Sequence, residues 1–254
     1  METNFFWHKY QNYLEGEKNF SSHTSKAYLV DIDKFSLFLL SEFEIESLEF
    51  TSSTMVRSYL VYLSKKSYAK RSINRKLSSL KRYFKFLIKK GAISTNPTAQ
   101  ISGLKEPKPL PSYIPKKQLN DLLDTAGVHE GDDAMDYVLV AFLYNTGTRI
   151  DEVVNLKVAD INFLKMNVKV LGKRNKERFI PFGEELKEIL EKYLATQNEP
   201  TYLFELKEKP LLQRRAYTLV NQFLSNIPQL AKKSPHVLRH SFATHLLENG
   251  TELN

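Results

Sequence analysis

Apolar residues recur at helical spacing through most of the chain, which predicts a mainly α-helical protein. Before residue 96 this spacing predicts four helices, typical of a small helical bundle, near residues 3–16, 22–41, 53–64 and 70–90. After residue 112 the same spacing predicts further helices near 116–126, 133–146, 150–156, 183–195, 213–225 and 235–249.

Two segments interrupt the helical pattern. Residues 166–182, MNVKVLGKRNKERFIPF, alternate apolar and polar positions on both sides of a basic turn, which predicts a β-hairpin. Residues 96–111, NPTAQISGLKEPKPLP, contain four prolines and one glycine and predict an extended linker. We therefore expect a helical domain of residues 1–106, a linker at 107–112 and a mostly helical domain with a small β-sheet at 113–254.

Length and composition narrow the class of protein. A chain of 254 residues is longer than one core usually fills, which supports two domains. No run of eighteen apolar residues and no signal peptide pattern is present, so we expect a cytoplasmic protein without a membrane partner. The chain has no cysteine, which excludes disulfides, thiolate zinc sites and cysteine nucleophiles.

Positive charge is concentrated in the first domain. The net charge is +8, and residues 1–106 hold 17 Lys and Arg against 10 Asp and Glu. Residues 65–90 contain eleven basic residues and no acidic one. A solvated face is the commoner origin of a basic run, but solvated faces usually mix both signs, so this run favours a nucleic acid partner.

The basic run coincides with the predicted helix 70–90. One stripe of this helix is apolar, formed by Ile73, Leu77, Leu80, Phe84 and Leu87. The opposite side carries the cations Arg71, Arg75, Arg82, Lys85 and Lys89. Such a helix can dock by its apolar face and lay a cationic row along phosphates.

Two motifs in the second domain carry candidate cations. In TGTRIDEVVNL, residues 146–156, Glu152 lies three positions after Arg149 and can fix its guanidinium, although a lone pair of this kind is more often a surface salt bridge. The hairpin tip supplies a lysine that can act as a proton donor, unless the tip is simply solvated; its cations are Lys173, Arg174, Lys176 and Arg178.

The last predicted helix has clear ends and a polar cluster. Ser234 can cap it, Pro235 suits its first position, and Gly250 can close it in a left-handed turn. Both of its sides carry apolar residues, so we expect it to be buried in the second domain. One side holds His236, Arg239, His240, Ala243 and Leu247, and the other holds Leu238, Phe242 and Leu246.

The cluster of His236, Arg239 and His240 allows three interpretations. Histidines four apart can bind a metal, but no HExxH glutamate and no cysteine accompany them. They can also be satisfied core histidines. Third, they can join Arg149 and Lys173 as donors around one phosphate, where two arginines stabilise a five-coordinate phosphorus without a metal or cofactor.

The ordered motifs TGTR with a following Glu, GKRNKER and PHVLRHSFATHLLENG resemble the tyrosine recombinase (phage integrase) family, and within it the Xer-type site-specific recombinases. The segment SINRKLSSLKRYFKFLIKKGAISTNP is similar to the core-binding domain of that family. The resemblance implies a mainly α protein, with a SAM-like helical core-binding domain and a catalytic domain that together clamp duplex DNA.

The resemblance also implies roles for the motif residues. Arg149 and Arg239 would grip the scissile phosphate, Lys173 would protonate the leaving 5′ oxygen, and His236 would assist proton transfer. Glu152 and His240 would support them, and Arg214 and Arg215 would begin a second DNA-contacting helix. The implied reaction is site-specific recombination through a 3′-phosphotyrosyl intermediate, in chromosome dimer resolution or integration of a mobile element, by a synaptic tetramer of recombinase protomers.

The family's nucleophilic tyrosine follows a Leu-Gly-His segment after the catalytic helix, and neither is present here. Tyr217, the last tyrosine, lies upstream of the arginine motif. We therefore expect a C-terminally truncated recombinase that binds DNA without cleaving it and is monomeric when free. The alternative is a naturally short, non-catalytic regulator that binds recombination sites.

Overall fold

The chain folds as two compact units, residues 1–108 and 109–254. A computed structural model describes most of both units, covering residues 4–107, 113–126, 134–172, 176–227, 230, 232–248 and 250. The fold is mainly α-helical with small antiparallel sheets, as the sequence predicts. No helix within these ranges is long and apolar enough to cross a membrane.

Over residues 4–107 the first unit is a bundle of four α-helices, and a π-helical turn at Tyr13–Glu17 follows the first of them. Serine side chains set two helix starts: the Ser21 hydroxyl accepts the Thr24 amide at 3.3 Å, and the Ser52 hydroxyl accepts the Met55 amide at 3.3 Å. The four helices are α1 (Asn4–Asn12), α2 (Ser22–Phe43), α3 (Ser53–Lys65) and α4 (Lys70–Lys89).

Helix α4 is amphipathic as predicted. Its apolar stripe is buried in the core of the first unit, together with aromatic side chains of α2 and α3 such as Phe35 and Tyr59. The opposite side leaves Arg71, Arg75, Lys85 and Lys89 exposed. Burial of one face therefore turns the cationic row of α4 outward.

A buried ionic network joins α2 to α4. Asp31 is only 1% exposed, and its carboxylate accepts Arg75 at 2.5 and 2.9 Å, the Lys76 ammonium at 2.8 Å and the Ser79 hydroxyl at 2.7 Å. A carboxylate removed from water needs such partners, because desolvation alone would disfavour its charge. The network therefore fixes the rotation of α4 against α2.

In its described residues the second unit has six α-helices, two short 3-10 helices and two small antiparallel sheets. Its α-helices are α5 (Lys116–Ala126), α6 (Ala134–Thr146), α7 (Ile150–Val153), α8 (Glu184–Ala195), α9 (Gln213–Phe223) and α10 (Pro235–Glu248). The three-stranded sheet has the order β1 (Ile161–Asn162), β2 (Asn167–Leu171) and β3 (Glu177–Pro181), with Val170 opposite Arg178. Strands β4 (Glu205–Leu206) and β5 (Lys209–Pro210) form the second sheet.

Helix α6 lies at the centre of this unit and is apolar on all sides, so α8, α9 and α10 pack around it. The two ends of the unit are also joined, since the Ile114 amide donates to the Ser241 hydroxyl at 2.8 Å. Ser241 in turn donates to the Val237 carbonyl at 2.9 Å, within α10.

The expectation that α10 is buried in the second domain holds for one face of the helix. Val237, Leu238, Ser241 and His245 are buried, whereas His236, His240 and Leu247 are exposed. The buried positions follow one helical face, and that single face meets α6 and α9. The polar cluster at the start of α10 therefore lies at the surface of the unit.

Candidate active site

The turn between α6 and α7 sets the position of Arg149. Gly147 ends α6 with φ +57°, a conformation that favours glycine, and its amide donates to the Leu143 carbonyl at 3.0 Å. The Thr146 hydroxyl binds the Phe142 carbonyl at 2.7 Å and the Thr148 hydroxyl at 2.8 Å. This buried network delivers Arg149 to the N-cap position of α7.

Glu152 is the acidic centre of the site. Its side chain is only 5% exposed and accepts the Arg149 amide at 2.8 Å and the Arg149 guanidinium at 3.0 Å. The i,i+3 contact expected from the sequence is therefore present. Burial alone raises the pKa of Glu152, but hydrogen bonds from Arg178 and Arg149 outweigh it and hold the pKa below its ordinary value.

Arg239 reaches the same turn from α10. Its guanidinium donates to the Gly147 carbonyl, so a residue near the end of the chain is fixed to the turn that carries Arg149. Burial and the positive charge of Arg149 lower the pKa of Arg239, and Arg178 adds to this effect. An arginine nevertheless stays protonated in a protein, so these like charges face one another.

His236 lies beside α9 at the start of α10. Its Nε2 is 3.3 Å from the Tyr217 hydroxyl, and its side chain is exposed. Burial and the charge of Asp151 raise the pKa of Tyr217, which favours the neutral phenol. His240 is also exposed, and no hydrogen bond or ion pair among the described residues joins it to this cluster.

The hairpin lysine Lys173 lies outside the described residues. The strands that flank it are described, and β3 brings Arg178 to Glu152, with hydrogen bonds of 2.9 and 2.7 Å to the two carboxylate oxygens. The hairpin is thus anchored next to the arginine turn.

The guanidinium groups of Arg149 and Arg178 therefore bind one carboxylate, and Arg239 adds a third positive charge close enough for its pKa to respond to all three groups. This excess of fixed positive charge, half-exposed to solvent, is complementary to an anion, and planar guanidinium groups match the oxygens of a phosphate. Within the described ranges no group of three His, Cys, Asp or Glu side chains could hold a metal ion.

The predicted DNA-contact residues lie in two places. Arg71 and Lys85 are exposed on α4, and Arg214 and Arg215 are exposed at the start of α9. The other three cations of α4 have partners inside the first unit. Arg75 is 50% exposed and paired with Asp31, Lys89 is 2.5 Å from Glu17, and Arg82 stacks 4.7 Å from the Phe20 ring centre.

Sequence reasoning placed Arg178 among the cations of the hairpin tip and missed its contact with Glu152. A signal was present in the alternation of β3, because Arg178 shares a face with Ile180 and lies opposite the buried Val170. An arginine on the inward face of a strand needs a buried acceptor. Tyr217 was likewise not expected to contact His236.

Comparisons with known proteins agree with this architecture. A protein-family model described as "Phage integrase family" matches residues 112–254, and a second family model, described as "Phage integrase, N-terminal SAM-like domain", matches residues 8–91. Tyrosine recombinase XerC of Staphylococcus saprophyticus is 34% identical over 94% of this chain and 82% of its own length. Tyrosine recombinase XerC of Pediococcus pentosaceus is 34% identical over 96% of this chain and 85% of its own.

Solved structures share the fold. A lambda integrase(75-356) dimer bound to a COC′ core site has a TM-score of 0.75 at 17% identity, covering 96% of this chain and 89% of that one. A XerH site-specific recombinase bound to a palindromic difH substrate, in a post-cleavage complex, has a TM-score of 0.73 at 22% identity, covering 91% of this chain and 71% of that one.

Proposed function

Because this chain belongs to the phage integrase family of tyrosine recombinases, DNA breaking and rejoining enzymes, we propose that it acts on one phosphate of a specific recombination site in duplex DNA. The observation that carries this proposal is the convergence of Arg149 and Arg239 on the Gly147 turn. Two fixed arginines can bind the non-bridging oxygens of one phosphate and stabilise the charge of a five-coordinate phosphorus.

The other motif residues take supporting roles in this proposal. Glu152 holds Arg149 through both its amide and its guanidinium. His236 assists proton transfer, and its exposed position beside Tyr217 leaves it open to a bound backbone. Lys173, which the sequence places at the tip of the hairpin, protonates the leaving 5′ oxygen.

In this proposal each unit contributes cations that contact DNA. Arg71 and Lys85 on α4, with Arg214 and Arg215 on α9, are exposed cations suited to phosphate contacts that position the protein without selecting a sequence. Arg75, Arg82 and Lys89 remain candidates, with their side chains already held by partners in the first unit.

For the 254 residues taken as they stand, we propose DNA binding without formation of a covalent adduct. No tyrosine follows Arg239 within them, and the last one is Tyr217. Burial and Asp151 raise the pKa of Tyr217, which disfavours the phenolate that would attack phosphorus.

A nicked suicide duplex tests this proposal. Incubation with the 254 residues should give a shifted, non-covalent complex and no adduct on a denaturing gel. Tyr217→Phe is the matched control and should bind equally well. An adduct in the unsubstituted chain would contradict the proposal, and its loss in Tyr217→Phe would identify Tyr217 as the nucleophile.

We further propose that recombination takes place in a synaptic tetramer, whereas these 254 residues are monomeric when free. Sizing with light scattering measures this directly, with and without duplex DNA. A stable dimer in the absence of DNA would contradict the monomer.

A further inference from the structure

All accepting positions of the Glu152 carboxylate are occupied. Oε1 accepts the guanidinium of Arg149 at 3.0 Å and that of Arg178 at 2.9 Å, while Oε2 accepts the Arg149 amide at 2.8 Å and Arg178 at 2.7 Å. A carboxylate offers about four such positions. Glu152 therefore has no accepting position left for another donor, and its role is to orient its two arginines.

Arg178 makes the more extensive of the two contacts. It approaches Glu152 with two parallel N–H groups, a geometry that fixes both planes, whereas the Arg149 side chain uses one. Without Arg178, the carboxylate would be held only by its two single contacts from Arg149, one to each oxygen. The bidentate pair therefore adds the constraint that keeps Glu152 in the orientation that Arg149 requires.

The hairpin is built to admit this guanidinium. Gly172 directly follows β2, and a Cβ added there would lie 2.8 Å from Nη1 of Arg178 and 3.3 Å from the Lys176 carbonyl. That carbonyl also accepts the Gly172 amide at 2.8 Å, closing the base of the tip loop. The Arg178 guanidinium thus packs directly against the backbone from which residue 173 extends.

We propose that Arg178 is a positioning residue of the phosphate site: it acts through Glu152 to hold Arg149, and it ties the base of the Lys173 hairpin to the arginine turn. The proposal rests on the proposed function, because it assumes that Arg149 binds a phosphate. Arg178 is itself 34% exposed but commits two N–H groups to the carboxylate.

The experiment measures how much the affinity for DNA depends on the charge of one phosphate. A tight-binding duplex is first selected from a random-sequence pool with the unsubstituted 254 residues. Neutral methylphosphonates then replace its phosphates one at a time, and affinity is measured by fluorescence anisotropy. At the gripped position the replacement should weaken binding about tenfold or more, since charge-assisted hydrogen bonds are lost there.

Three variants perturb Arg178 in different ways. Arg178→Gln removes its charge, and Arg178→Lys keeps the charge but cannot make the two parallel bonds. Gly172→Ala keeps every charge and displaces the guanidinium by the contact described above. Lys169→Gln is the matched control, because Lys169 is on the same sheet and pairs instead with Asp160 at 3.3 Å and Glu177 at 3.8 Å.

In Arg178→Gln, the methylphosphonate at the gripped position should weaken binding only about threefold or less instead of tenfold. Arg178→Lys and Gly172→Ala should show an effect between these two values. Lys169→Gln should keep the full tenfold effect of the methylphosphonate, even if its overall affinity for DNA falls. Carbon-13 NMR of the Glu152 carboxyl gives a second result: its pKa should rise in Arg178→Gln, because a hydrogen bond that lowers it is gone.

The outcomes separate the two proposals. If no phosphate of the duplex proves sensitive to replacement with the unsubstituted protein, the proposed phosphate site itself is overturned. A sensitive position that keeps its full penalty in Arg178→Gln, or loses it equally in Lys169→Gln, would overturn the role of Arg178 alone. If Arg178→Gln does not fold, a full penalty retained in both Arg178→Lys and Gly172→Ala overturns it equally.

Discussion

Replacing Gly147 with alanine should destabilise the second unit more than a glycine-to-alanine substitution at any other described position. Gly147 has φ +57°, and a Cβ there would overlap the Phe242 ring of α10. Its carbonyl also accepts Arg239. The substitution therefore strains the backbone, pushes α10 outward and moves one of the arginines of the site.

The expected loss in the free energy of unfolding has two parts. A left-handed conformation costs an L-residue about 1–2 kcal/mol, and forcing an extra carbon into a filled space costs about 1–3 kcal/mol. We expect the free energy of unfolding to fall by about 2–5 kcal/mol in total. Gly91→Ala is the matched control, because Gly91 has φ +70° and open space around its Cα, so only the first part, about 1–2 kcal/mol, applies.

The assay is urea unfolding followed by far-UV circular dichroism, with hydrogen exchange to show which helices lose protection. The only tryptophan, Trp7, lies in the first unit, so its fluorescence does not follow this region. Phe242→Ala should cost about 1–3 kcal/mol less in the Gly147→Ala background than it costs alone, because the overlap is already removed with the ring. A cost of Gly147→Ala no larger than that of Gly91→Ala, or additive effects in the double variant, would refute the packing argument.

Three further predictions follow from the charges. In the folded protein the pKa of Glu152 is lowered, because the hydrogen bonds of two arginines outweigh its burial. Ionised Glu152 therefore stabilises the fold above its unfolded pKa of about 4.3, and this stabilisation is lost as the pH falls through the folded pKa. Glu152→Gln should flatten the decline of urea midpoints from about pH 5 to about pH 3, and an unchanged slope would contradict this. Asp31→Asn should cost about 3–5 kcal/mol, because it leaves a buried lysine without its carboxylate; the exposed neighbour variant Asp33→Asn should change denaturation midpoints little, and equal effects of the two would refute the network. Arg71→Ala should lower the salt dependence of DNA binding by about one unit of slope, whereas Lys192→Ala on α8 should not; identical slopes would remove α4 from the DNA surface.

Helix positions followed closely from the sequence, for physical reasons that are local. Residues such as Ser21 and Ser52 cap helix starts through their own hydroxyls, and an apolar stripe such as that of α4 repeats every turn. The hairpin of β2 and β3 was predicted from its alternation. Strands β1, β4 and β5 were not, since each has two residues and therefore no detectable period.

The site was predictable where its contacts are short in sequence. The Arg149–Glu152 pair lies within one turn of helix, whereas the Arg178–Glu152 pair spans 26 residues and the Asp31–Arg75 pair spans 44. Which distant charges meet is decided by how elements pack, and a single sequence does not encode that in its spacing. The one-sided burial of α10 escaped prediction for the same reason, since it depends on where α6 and α9 leave room.

The hydrogen bond from Ile114 to Ser241 has a consequence for synthesis of the chain. Residue 114 leaves the ribosome early, and it must wait for 127 further residues before its amide finds this partner. Val237 and Leu238, which fill the core beside it, arrive equally late. The first unit can fold while synthesis continues, whereas the face of α6 that packs on α10 stays uncovered until α10 emerges. During that interval the nascent chain is exposed to aggregation or chaperone capture.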